Sequence, residues 1–90
     1  MENVKVNQIE IERQKISQID EALVKLLDSR FKVVKAIAVT KKQLGMSIFQ
    51  PGREQQVLQK TASLSQNPEF IQSIFQNIMQ ESRKFQENLK

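Results

Sequence analysis

The sequence predicts an all-α protomer of three helices, one of them long and N-terminal, and three observations carry that prediction. From Asn7 to Leu44 there is neither Gly nor Pro, while apolar residues recur at helical spacing. The stretch MSIFQPG, residues 46–52, is the one real loop signal, and Asn67-Pro68-Glu69 is a strong helix start beyond it. The 90 residues then read as a single domain, 1–90, with helices at approximately 7–44, 51–65 and 68–88.

The first helix carries a stripe of Ile16, Leu23, Leu27, Val34, Ile37 and Leu44 in alternating steps of three and four, with Ile9 one heptad ahead. Asp20, Arg30 and Lys41 interrupt the stripe where a core wants hydrocarbon. A helix of about 38 residues is about 57 Å long, whereas a compact chain of this size is roughly 30 Å across. One chain cannot cover such a helix, so a second copy is expected alongside it, with the charges facing water or lining a polar site shared between chains. Met1 to roughly Val6 shows no clear periodicity and is expected to fray.

Gly45 is the natural stop for the first helix, in the position where a left-handed residue is wanted. Ile48 and Phe49 should tuck inward, and Pro51 suits the first turn of a short second helix with Val57, Leu58, Ala62 and Leu64 on its apolar side. In the third helix Asn67 should cap, Pro68 fits the first turn and Glu69 complements the helix dipole. Its stripe is Ile71, Ile74, Phe75, Ile78 and Met79, continued at the same spacing by Ser82, Gln86 and Leu89. The glutamines are dispersed over helix faces and read as solvated surface unless their position says otherwise.

Composition narrows the chemistry. Without Cys there are no disulfides, thiolate nucleophiles or Cys-based metal sites, and without His a zinc or imidazole-base proposal is weak. The net charge of +4 would suit nucleic acid, an anionic membrane surface or a small anionic ligand. Its cations are interspersed with acids rather than gathered in a basic arm, and the five Phe are scattered without Tyr or Trp, so there is no stacking platform for single-stranded nucleic acid. No stretch approaches the roughly 20 apolar residues of a membrane span, and the N-terminus lacks the apolar core of a signal peptide. A cytoplasmic protein that binds neither nucleic acid nor membrane is expected.

The polar residues on apolar faces form the candidate site: Arg30 and Lys41 on the first helix, Arg53 and Glu54 at the start of the second, Ser82 and Gln86 on the third. Arg30 and Lys41 return to within about 20° of one face, roughly 16 Å apart, and can flank one small ligand. Ser82 and Gln86, at i and i+4, can offer a hydroxyl and an amide to the same cavity. Buried cations without partners are costly, so the set makes sense chiefly around a dianion.

In these residues the chain resembles the all-helical, AroQ-class chorismate mutases. The matching segments are ERQKISQIDEALVKLLDSR, the lysine of TKKQLG, IFQPGREQQVL, and IFQNIMQES with Gln86 four residues after Ser82, together covering roughly Ile11 to Leu89. The resemblance implies a Claisen rearrangement of chorismate to prephenate, on the way to phenylalanine and tyrosine, with no cofactor and no metal. It also implies an intertwined homodimeric helical bundle in which each site borrows an arginine from the neighbouring chain. By position, Arg13 is the borrowed arginine and grips the substrate carboxylates with Arg30. Lys41 and Gln86 donate to the ether oxygen, Glu54 accepts from the ring hydroxyl, and Arg53 and Ser82 complete the lining. Many members carry an acid where this chain has Gln50.

The chemistry agrees without the resemblance. Folding an extended substrate into a chair-like near-attack shape needs clamps at both ends, and charge growing on an ether oxygen needs fixed donors. Arg13 and Lys41 are about 42 Å apart along one straight helix, so both can touch one ligand only if Arg13 comes from an antiparallel partner.

Each residue also has a plain structural explanation. Arg13 can pair with nearby acids on the surface, Arg30 and Lys41 can snorkel from a helix edge, and Glu54 can serve the dipole of the second helix or pair with Arg53. Ser82 and Gln86 can sit on a fraying end, and Asp20 is read as a structural partner for a cation across the bundle. Two alternative functions remain. An isochorismate-pyruvate lyase of the same fold shares the cationic pocket but has a shorter loop before the second helix, so the length of KKQLGMSIFQPGRE favours the mutase. A non-catalytic regulatory module of an aromatic-pathway synthase would keep the pocket for sensing.

Overall fold

A computed structural model describes residues 2–89, with side chains described from Val4 onward. Three helices follow in order, α1 (Glu2–Leu44), α2 (Pro51–Ser63) and α3 (Pro68–Glu87), and among the described residues there is no strand. The chain divides into two compact units, residues 1–32 and 33–90.

The first unit is a run of α1. The helix begins at Glu2, ahead of its expected start near Asn7; Met1 lies outside the described residues. With no Gly or Pro to break it, each added residue gains one backbone hydrogen bond once the helix is nucleated. Neighbouring turns are tied by Gln8 donating to Glu12 at 2.7 Å and by the exposed pairs Arg13–Glu10 at 3.0 Å and Lys15–Glu12 at 3.2 Å. Every described side chain from Val4 to Leu26 is exposed, including Ile9, Ile16 and Leu23 of the stripe.

The second unit holds the end of α1 together with α2 and α3, which pack on each other. Gly45 ends α1 at φ 68°, the left-handed conformation that a side chain disfavours. The Met46 N–H donates to the Lys41 carbonyl at 2.8 Å and the Gly45 N–H to the Lys42 carbonyl at 3.2 Å, the paired bonds of a Schellman stop. Pro51 and Pro68 stand in the first turns of α2 and α3, where a missing N–H costs nothing.

Several local expectations are corrected. Asn67 occupies the position before α3, but its side chain caps nothing; its own N–H is taken by the Ser65 Oγ at 2.8 Å. Helix α2 stops at Ser63 rather than Ser65, because the Leu64 and Ser65 N–H groups turn back to Thr61 and Ala62 in a tightened last turn. Leu64 therefore lies beyond the helix and is exposed instead of joining its apolar side. Ile48 is half-buried as expected, but Phe49 is exposed, its ring covered on one face by Arg83. Helix α3 ends at Glu87, within one residue of its expected end.

Candidate functional site

Two apolar residues, Val34 and Met79, and two polar ones, Ser82 and Gln86, are the most buried side chains described, all in the second unit. Burying an amide demands partners, and Gln86 has them. Its Nε2 donates to the Val34 carbonyl at 3.1 Å, which joins α3 to the end of α1. Its Oε1 accepts from Lys41 Nζ at 3.5 Å, and Lys41 Nζ also donates to the Ile48 carbonyl at 2.8 Å. The carbonyl of Val34 can only accept, so it turns the amide nitrogen toward α1 and the amide oxygen toward the ammonium.

Lys41 and Gln86 line a cavity of about 700 Å³, together with Lys35, Lys42, Ile48 and Leu89. That size is in the range that holds a small molecule. Three ammonium groups around it suit an anion. A second hollow of about 330 Å³ shares Lys41 and is otherwise walled mainly by apolar residues such as Val33, Ile37 and Leu44.

The remaining expected site residues are placed as follows. Ser82 is buried on α3, one turn before Gln86, and its Oγ donates to the Ile78 carbonyl at 2.8 Å. Glu54 is partly buried in the first turn of α2, 3.2 Å from Arg83 Nε on α3, so its partner is Arg83 rather than Arg53. Arg53 is exposed. Gln50, the departure from the family pattern, precedes α2 and donates from Nε2 to the Ser47 carbonyl at 2.8 Å, bracing the loop. Arg30 and Arg13 belong to the first unit; Arg30 is partly buried, and Arg13 is exposed and paired with Glu10. Asp20 is exposed in the same unit. The structure thus brings Lys41 and Gln86 to one cavity, while the fraying-end explanation of Ser82 and Gln86 is wrong, since both are buried inside α3.

Sequence reasoning missed three groups. The carbonyls of Val34 and Ile48 are backbone atoms that no side-chain pattern reveals. Arg83 lies off the apolar stripe of α3, and its partners, Glu54 and the Phe49 ring 4.7 Å from its guanidinium carbon, come from distant parts of the chain.

In this all-helical protein α1 and α3 bring a lysine and a buried glutamine to one cavity whose charge suits an anion. The chain belongs to the chorismate mutase type II family, which it matches over residues 12–87, and it is accordingly an enzyme of the isomerase type, a chorismate mutase. No curated protein and no solved structure matches it. Among the described residues no helix is long and apolar enough to cross a membrane, and no three acidic side chains gather as a metal ion would need.

Proposed function

We propose that the chain rearranges chorismate to prephenate without a cofactor, in the cytoplasmic branch leading to phenylalanine and tyrosine, and that it does so as an interlocked homodimer. The observation that carries the chemistry is Lys41, its ammonium held by the Ile48 carbonyl at 2.8 Å and facing the buried amide of Gln86. In the rearrangement one carbon–oxygen bond breaks as one carbon–carbon bond forms, and no proton moves. Negative charge grows on the ether oxygen in the transition state. An ammonium has three hydrogens and a primary amide two. The Ile48 carbonyl and Gln86 Oε1 engage two of the former, and the Val34 carbonyl one of the latter. One hydrogen on each remains for the ether oxygen, and donors already held in place favour the transition state over the ground state.

In this reading Arg30 and a partner-derived Arg13 grip the two carboxylates bidentately and fold the substrate. Glu54 accepts from the ring hydroxyl, and Arg53 and Ser82 finish the polar lining. The dimer is supported by the exposed stripe of the first unit, Ile9, Ile16 and Leu23, which an identical copy would cover.

The test follows loss of chorismate absorbance with purified protein. Turnover is expected, and Lys41→Ala should lower it by about 10²- to 10³-fold, the usual cost of one transition-state donor. Pyruvate release from isochorismate at higher efficiency would instead assign the lyase, and a folded protein with no turnover would assign the regulatory module. Mixing Arg13→Ala with Arg30→Ala protein tests the shared site: random exchange gives one intact site in every second dimer, so about a quarter of wild-type activity should return. Verified exchange with no recovery would end the shared-site proposal.

A further inference from the structure

We infer that Arg83 is a positioning residue: it anchors the Glu54 carboxylate and the loop before α2 to α3, and so sets where the substrate's ring hydroxyl is received. The inference rests on the function proposed above for Glu54. Three parts of the second unit meet at this guanidinium. Its Nε lies 3.2 Å from Glu54 Oε2 in α2, its carbon stands 4.7 Å over the Phe49 ring in the loop, and its backbone belongs to α3 one residue beyond Ser82 and three before Gln86.

The geometry suits this use. A carboxylate has two oxygens, and Arg83 takes Oε2, which leaves Oε1 to accept from a hydroxyl. The flat face of a guanidinium rests on an aromatic ring while its edge meets an acid, a combination that an ammonium cannot reproduce. Phe49 adjoins Ile48, whose carbonyl holds the Lys41 ammonium, so the loop that Arg83 pins is the loop that holds Lys41. Although charge-paired at 3.2 Å, the Nε–H is shielded from solvent and is not aligned on any acceptor as a hydrogen bond.

A contact to the ring hydroxyl is made in the ground state and the transition state alike, so misplacing its acceptor should appear in KM rather than in kcat. Arg83→Met keeps the stem and removes the guanidinium. We expect KM for chorismate to rise about tenfold with kcat within about threefold, the scale of one weakened charge-assisted hydrogen bond. The same substitution made in Glu54→Gln protein should add no further rise, because two residues that act through one contact are not additive. Arg83→Lys, which keeps the charge but not the flat stack, should give a smaller rise, about threefold, again absent in the Glu54→Gln background.

A purely structural Arg83 would lower the thermal midpoint and leave KM unmoved. An unmoved KM, or KM effects that add to those of Glu54→Gln, overturns the inference. If Arg83→Met protein does not fold, the Arg83→Lys pair of measurements decides by the same criteria. Wild-type protein with no chorismate turnover would defeat the underlying function instead, whereas turnover insensitive to Arg83 defeats only this inference.

Discussion

In the first unit every described side chain from Val4 to Leu26 is exposed; in the second, Val34, Met79, Ser82 and Gln86 are buried and hydrogen bonds link elements far apart in sequence. The ties seen in the first unit run between neighbouring turns, such as Arg13 to Glu10. Pairs of that kind contribute about 0.2–0.5 kcal/mol each, against about 1.5–3 kcal/mol for burying one Leu or Ile side chain. Helices in water owe most of their stability to packing of an apolar face. The second unit has begun that packing within its own chain. The first presents the same heptad stripe with Ile9, Ile16 and Leu23 exposed, and this contrast is what a second copy would resolve.

The largest expected effect breaks the comparison at Leu23, half-exposed at the centre of the stripe. Leu23→Asp places a carboxylate where the proposed partner packs. Sedimentation should show the dimer mass halved, and turnover should fall by at least about a hundredfold as the borrowed arginine is lost, since misplacing one clamp costs that much. A wild-type protein that sediments as a monomer while turning over chorismate, or a Leu23→Asp dimer of full activity, would show the first unit needs no cover.

Gln86→Glu sharpens the second half. The native amide donates without titrating, and with no His in the chain wild-type kcat/KM should be nearly flat between about pH 5 and 8. A glutamate donates only when protonated, and an ordinary glutamate titrates near 4.3. Activity of the variant should therefore rise as pH falls, by about tenfold per unit well above its pKa. A flat profile for the variant would remove Gln86 from the reacting oxygen.

The smallest effect is at Gly45. A Cβ there meets nothing within 4 Å, so Gly45→Ala carries only the cost of φ 68° for a side chain, about 1–2 kcal/mol. Thermal unfolding should register that loss with kcat unchanged. A much larger loss of activity would mean that the stop of α1 also aims Lys41.

Local chemistry determines much of this protein. The absence of Gly and Pro through Leu44, the αL stop at Gly45 and the prolines at 51 and 68 specify three helices, because these effects act within a turn or two of the chain. Heptad spacing likewise exposed Lys41 and Gln86 as polar residues standing where hydrocarbon belongs. Tertiary structure alone decided which groups meet them. The carbonyls of Val34 and Ile48 carry no side-chain signature, and Arg83 found Glu54 and Phe49 rather than a neighbour on its own helix. Contacts between distant segments depend on how helices come together in space, and periodicity along one helix records which face is apolar without recording what that face will touch.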